Sequence, residues 1–402
     1  MTLSKNAKNA IMLGGLCAVS YLAVYFAKNI LGAVTPQLIE DGVFTAEYIG
    51  KISSLYFIFY AVGQLINGIL GDKIKARYML SGGLFFAGVT VVLFSKLPAY
   101  PGIATYVYAM MGFFLAMIYG PMTKVVAENT EPIHATRCSL GYTFSSFFGS
   151  PLAGVCAAVF AWGQVFLISG TALFVMAIAC FSCFLLFEKN GIVKYNLYDK
   201  PKEESSGIKS LIEHKIIRFT IISMLTGVVR TSVIFWLPTY ISQYLGFSAE
   251  ASALIYTVST LAISVQTFIT IFIYEKLGRN MYKTILLMFL TSTLFFALVY
   301  LFKFPIANVI FITLAIMCSN GAATMLWSRY CPSLRDTGMT SSATGFLDFV
   351  SYMAAAVSSS LFANAVDSIG WQNLVLVWTG LMVIGVIISL PYDRILGREV
   401  KW

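Results

Sequence analysis

YLAVYFAKNILGAVTPQL, residues 21–38, and GVVRTSVIFWLPTY, residues 227–240, each carry one cation inside an otherwise apolar run. Lys28 and Arg230 each precede a proline, Pro36 and Pro238, by eight residues, and the two cations stand 202 residues apart in a chain of 402. Eight helical residues rise about 12 Å, close to half of a hydrocarbon core of about 30 Å. Both charges therefore fall near the midplane of a bilayer, at matching places in two halves. A cation there costs at least about 2.5 kcal/mol on insertion scales, so it faces a polar cavity and has a task to perform. Two matched cations at mid-depth read as one anion-binding site between two repeats.

The rest of the chain suits a membrane. It is 58% hydrophobic and 11% charged, with a mean hydropathy of +0.80, whereas soluble domains carry about 25% charged residues. About twelve apolar stretches, among them 10–36, 46–70, 138–162, 216–242, 340–365 and 373–392, are long enough to cross a bilayer. Their continuous rather than alternating hydrophobicity excludes a β-barrel. The fold predicted is an all-α membrane protein, with twelve transmembrane helices in two six-helix pseudo-symmetric bundles. No cleavage site precedes the helix of Lys28, so no signal peptide is read.

A net charge of +9 and a pI near 9.1 invite a nucleic-acid partner, but the distribution argues otherwise. With both termini cytoplasmic, the outer connections hold only Lys51, Lys96 and Lys303. Lys28 and Arg230 aside, the other basic residues, such as Lys75, Arg77, Lys276, Arg279, Arg335, Arg394 and Arg398, fall at inner loops, helix ends and tails. That is the positive-inside bias of an even-span protein of the inner or plasma membrane, with no nucleic-acid partner. Seven cysteines are scattered through apolar segments, and the Cys180–Cys183 pair has no His or acid nearby, so it reads as packing. No activated nucleophile, metal cluster or phosphate-cradling glycine loop is present, which argues against an enzyme and for no cofactor.

Residues 188–214, rich in Lys, Glu, Ser and Pro, form the longest polar stretch. They read as a cytoplasmic linker between six-helix bundles at 1–187 and 215–402. The halves repeat: Asp72-Lys73 follows Pro36 by 36 residues, and Glu275-Lys276 follows Pro238 by 37. Duplication with binding at the repeat interface is the plan of the major facilitator superfamily, and the loop Gly68-Ile69-Leu70-Gly71-Asp72-Lys73 resembles its signature between the second and third helices. The run from Tyr21 to Leu38, the Arg230 helix with its Trp-Leu-Pro-Thr-Tyr, and the run from Thr340 to Trp371 resemble the organophosphate:phosphate antiporter family.

That resemblance implies fold, transport and site residues. Lys28 and Arg230 match two substrate-binding arginines of the family. Tyr21, Tyr25, Tyr60 and Tyr352 fall where it has pocket tyrosines. Departures are also evident: Gln64 stands in place of a lysine, Ser146 of a histidine, Thr260 of a glutamate, Gly227 of a tyrosine, and Asp348 of a small residue. Read from the residues alone, Tyr21, Tyr25 and Lys28 share one helix face, as do Tyr60 and Gln64, and Asp348 and Tyr352. Lysine offers a point charge, arginine a planar fork and tyrosine an uncharged donor, a set suited to holding an anion.

Asp348 is read as the one acid deep in the membrane, and three roles are open to it: a bridge to Arg230 or Lys28, a proton-coupling group, or a contact for a cationic part of the substrate. Asp72, Glu128 and Arg137 lie at inner helix ends, where the resemblance implies a conformational latch. Lys124 either extends the anion path or reaches the inner interface. The function expected is secondary transport of a small organic anion, an organophosphate exchanged for phosphate. The alternatives are proton symport of a carboxylate, phosphonate or zwitterion through Asp348, and a membrane sensor of a phosphorylated metabolite. The expected partners are a small anionic substrate, the lipid bilayer, and phosphate or a proton as coupling ion, with the protein a monomer.

Overall fold

In lipid a backbone satisfies its N–H and C=O groups only internally, so long apolar runs fold as helices. The computed structural model describes residues 4–195, 211–334 and 340–391, and all regular structure among them is helical. The middle of the linker, 196–210, and Arg335, Arg394 and Arg398 lie outside the described residues, as does the side chain of Asp72.

The first half holds α1 (Lys5–Glu40), α2 (Ala46–Lys73), α3 (Ala76–Phe94), α4 (Pro101–Asn129), α5 (Pro132–Phe147), α6 (Gly149–Val159) and α7 (Trp162–Lys189). Then come α8 (Ile216–Gln243), α9 (Ala249–Lys276), α10 (Met281–Leu301), α11 (Pro305–Tyr330) and α12 (Thr340–Ser389). Ten of these are long and apolar enough to cross a membrane. Two further crossings complete the twelve. One is α5 with α6: Pro151 has no N–H for the Phe147 carbonyl, and the fifth span is interrupted at Phe148. The other comes from α12, whose backbone breaks at Gly370 (φ 75°, ψ 165°) into the eleventh and twelfth spans. A positive φ of this kind suits glycine, which has no Cβ.

Local signals fix the ends. Ser4 accepts a hydrogen bond from the Ala7 N–H at 3.2 Å and caps α1; Thr45 does the same for α2 through Tyr48. Pro36 cannot donate to the Gly32 carbonyl, yet α1 runs through it to Glu40, as membrane helices tolerate. In α8 the residues before Pro238 form a π segment, Val228–Val233, and α11 ends in a second one, Leu326–Tyr330. The repeat seen in the sequence recurs in the elements. Asp72-Lys73 closes α2 just as Glu275-Lys276 closes α9, each followed by a short turn and another helix.

By packing, the chain forms two compact units. One comprises Met1–Pro201 with Phe235–Leu261 and Ser359–Ala363; the other comprises Lys202–Ile234, Ala262–Ser358 and Asn364–Trp402. In the first unit Ser53 and Ser359 share a hydroxyl contact of 2.5 Å, and the Trp236 indole donates to the Ser359 carbonyl. The start of the linker is pinned there too. Arg77 meets Glu188 at 2.7 Å, and Tyr195 donates to Glu188 at 3.1 Å while accepting from the Arg77 backbone N–H. Burial pushes the Tyr195 phenol up, so it stays a neutral donor. In the second unit Phe219 stacks on Tyr330 at 3.5 Å, and the Tyr330 hydroxyl donates to the His214 carbonyl. Large apolar side chains such as Ile178, Val175, Leu294 and Phe304 are exposed. Apolar surface on this scale is what a lipid-facing helix presents.

Small residues set helix spacing within the first unit. A Cβ built on Gly112 of α4 would stand 2.5 Å from the Tyr56 carbonyl of α2, whereas Gly82 of α3 has open space around it. Gly112→Ala should therefore destabilise by about 1–3 kcal/mol, because backbone must move, and Gly82→Ala should change stability by less than about 0.5 kcal/mol. Thermal unfolding of the two purified variants checks this, and equal effects would refute the packing role.

Candidate functional site

In the first unit, α1 and α2 assemble an aromatic seat for Lys28. Its Nζ lies 5.1 Å from the ring centre of Tyr25 and 4.6 Å from that of Tyr60. Both distances fall inside the range of a cation–π attraction, worth about 0.5–2 kcal/mol depending on exposure. Tyr25 is one turn before Lys28 on α1, so helical spacing alone brings it there. Tyr60 is buried and packs against Tyr56 at 6.1 Å. Tyr21, buried one turn further back, touches Tyr25 (4.9 Å), Tyr119 of α4 (5.5 Å) and Tyr142 of α5 (6.0 Å). Gln64 is half-buried one turn beyond Tyr60, and Ser146 is buried near the end of α5.

The second unit builds its centre around Arg230. This residue sits in the π segment of α8, and π segments inside α-helices recur at functional sites. Arg230 Nη2 is 3.8 Å from Asp348 Oδ1, and the two side chains are 31% and 32% exposed. The guanidinium carbon also lies 5.8 Å from the ring centres of both Trp327, in the π segment of α11, and Tyr352, on α12. Arg230 thus has two rings and one carboxylate around it. An ion pair exposed to this degree is worth about 1 kcal/mol or less, so it holds the two side chains together without locking them.

Helix pairing explains how these groups meet. Ser223 donates to the Leu347 carbonyl at 2.7 Å, and Ser232 to the Ala355 carbonyl at 2.8 Å. The matching offsets show that α8 and the first part of α12 run parallel. Between these contacts, a Cβ on Gly227 would stand 2.7 Å from the Ser351 carbonyl, so the tyrosine implied there by the resemblance has no room. Side chains lean toward a helix N-terminus. Arg230 leans back along α8 and meets Asp348, which lies N-terminal to its own level on α12.

The inner helix ends are occupied differently. Glu128 Oε1 is 4.0 Å from Lys124 Nζ on the same helix, and Lys124 also donates to the Gly71 carbonyl at the end of α2. Lys124 is therefore tied to a helix end rather than exposed alone. Arg137 is exposed on α5, and Asp72 lies in the last turn of α2. Thr260 is buried, with its hydroxyl donating to the Tyr256 carbonyl of its own helix. Among the described residues no group of three or more metal-ligating side chains occurs, and the seven cysteines are free. Trp327, Tyr119 and Tyr142 were not singled out in the sequence, where they read as ordinary aromatics of apolar helices. Their signal was weak: Trp327 is a bulky aromatic beside the polar Ser328 and Arg329 at the end of a span.

Removing one member of the Arg230–Asp348 pair leaves the other charge in the membrane. Arg230→Ala should destabilise by about 1–2 kcal/mol, less than a fully buried pair because of its exposure, and adding Asp348→Asn should recover most of that loss. Thermal unfolding of the two single variants and the double variant measures the coupling. Additive effects would show that the pair contributes no coupling energy.

The family model described as Major Facilitator Superfamily matches residues 17–359. The chain is 23% identical over 392 residues to the glycerol-3-phosphate transporter of Bacillus subtilis, with 88% of this chain and 86% of that protein covered. It is 33% identical over 76 residues to the membrane sensor protein UhpC of Salmonella typhimurium, a match that spans 19% of this chain and only 17% of the sensor. Among solved structures, an inward-facing, unoccupied bacterial homologue of the human lysosomal transporter Spinster is similar in fold, with a TM-score of 0.78 at 12% identity and complete coverage of both chains.

Proposed function

The chain belongs to the Major Facilitator Superfamily, a multi-pass membrane family, and we propose that it is a secondary transporter of a small phosphorylated organic anion. The observation that carries the reading is the pair of ring-flanked cations, Lys28 with Tyr25 and Tyr60, and Arg230 with Trp327 and Tyr352. Aromatic faces lower the cost of a cation inside an apolar span, and a cation at such a place is suited to meeting an anion. The glycerol-3-phosphate transporter, similar over most of its length, supports a phosphorylated substrate. No chemistry on the substrate is called for, and the protein is not an enzyme.

In this reading the halves 1–187 and 215–402, joined by the linker 188–214, alternate access across the inner or plasma membrane, with both termini in the cytoplasm. Lys28 and Arg230 bind the anion. Tyr21, Tyr25, Tyr60, Gln64, Ser146 and Tyr352 shape its surroundings. Asp72, Glu128 and Arg137 latch one conformation at the inner helix ends. Phosphate is the exchange partner. One observation favours a second reading as a membrane sensor, namely the short match to UhpC. Vectorial uptake separates the two: a transporter moves labelled substrate into vesicles, and a sensor binds without moving it.

A ligand that binds only the folded protein raises its stability, by about 2.7 kcal/mol at a hundredfold excess over Kd. Purified protein screened by thermal unfolding should be stabilised by glycerol 3-phosphate, inorganic phosphate or another phosphorylated compound, and not by neutral sugars. Arg230→Lys should weaken that binding about tenfold or more although charge is kept, because the planar two-pronged donor is lost. Lys28→Ala should weaken it similarly. Unaltered affinity in both variants would overturn the assignment of the cations.

A further inference from the structure

We propose that the corner of the second unit where the start of α8, the start of α10 and the end of α12 meet is a binding site for the headgroup of an anionic phospholipid. Two cations gather on one ring there. Lys215 Nζ lies 5.7 Å from the centre of the Tyr282 ring, and the Arg218 guanidinium carbon lies 5.2 Å from it. Tyr282, in the first turn of α10, also packs against Phe219 at 6.0 Å. Arg218 donates to the Leu390 carbonyl at 3.2 Å, just past the end of α12. Both cations are half-buried, and Arg279 and Lys283 on either side of Tyr282 in the chain are exposed. The stretches 213–218 and 275–283 together hold five lysines and arginines against two carboxylates, so positive charge is in surplus whatever pairs form. The backbone is unusual at the same corner. Among the described residues, Lys215 (φ 61°) and Arg279 (φ 58°) are the non-glycine residues at positive φ. A side chain is strained in that conformation, and such strain recurs where a ligand is held. Glycine would relieve it; each position carries a cation instead.

The surroundings of these cations point to a lipid rather than a soluble anion. Ile217, between Lys215 and Arg218 in the chain, is 63% exposed, and Ile212 is exposed as well. Ile387, one turn before Leu390 on α12, is also exposed. Cations bordered by exposed apolar side chains at a helix end suit a headgroup with its acyl chains beneath it, whereas a soluble phosphate gains nothing from isoleucines. Basic side chains at helix ends commonly snorkel to water. Here two of them converge, half-buried, on one ring, whose face lowers the cost of holding them together. Arginine then offers a lipid phosphate a planar fork and lysine a point charge. Basic pockets between membrane helices hold anionic headgroups by this chemistry.

Native mass spectrometry of the purified full-length protein, titrated with phosphatidylglycerol or phosphatidylcholine, tests this without reference to the transported substrate. Lys215→Asn combined with Arg218→Gln should weaken phosphatidylglycerol binding about tenfold or more and leave phosphatidylcholine binding unchanged. Asparagine tolerates the left-handed backbone, so the change at 215 removes charge and keeps the turn. Arg218→Lys should retain most of the affinity. Lys5→Gln combined with Lys8→Gln removes the same charge from α1 and should have no effect. Should the double variant at the corner fold poorly, Lys215→Asn alone should still weaken phosphatidylglycerol about fivefold. Unchanged phosphatidylglycerol binding in the corner variants would overturn the inference, as would an equal loss in the α1 variant, which would mark a response to bulk charge. Displacement of phosphatidylglycerol by an equal concentration of glycerol 3-phosphate would also overturn it, by making the corner a site for soluble anions.

Discussion

A full charge in the middle of a bilayer must be neutralised, wetted or cushioned, and that constraint governs where the polar groups of this chain sit. Lys28 and Arg230 meet it in related ways. Each cation lies within 6 Å of two aromatic ring centres, contributed by neighbouring turns or neighbouring helices. Rings lower the cost of the charge without consuming its hydrogen-bonding edges. A carboxylate lowers it more but occupies an edge. In the second unit Asp348 also stands beside Arg230.

The helices, and the two cations within long apolar helices, were legible in the sequence because each reflects a strong, local constraint. A run of apolar residues has one solution in lipid, and a lysine or arginine within it stands out against the composition. The matched proline spacing placed Lys28 and Arg230 in α1 and α8, and the acidic-basic pairs at the ends of α2 and α9 follow the same repeat. The break of α12 at Gly370 lies within the gap left between the apolar stretches 340–365 and 373–392.

What the sequence concealed depends on long-range packing. The π segments at Val228–Val233 and Leu326–Tyr330 carry no compositional mark, yet they hold Arg230 and Trp327. Trp327 is 97 positions from Arg230, and no periodicity links them. The Arg77–Glu188–Tyr195 cluster joins α3 to the start of the linker through residues that each look like ordinary inner-side polar groups. Asp348 was open to three roles from sequence because the reach of a carboxylate across helices depends on which helices pair, and in what direction they run.

That pairing ties two departures from the family pattern together. Gly227 permits α8 to approach the Ser351 backbone more closely than any side chain would allow. The serine bonds on either side, from Ser223 and Ser232, hold the helices in parallel register. With α8 this close, an arginine leaning toward its own N-terminus reaches the level of residue 348, and a carboxylate there finds a cation. A tyrosine at 227 would push the helices apart and leave Asp348 as an ionised group in the membrane without that partner. The glycine at 227 and the aspartate at 348 are thus linked through one helix contact: the close approach of α8 and α12 is what brings the guanidinium and the carboxylate to 3.8 Å.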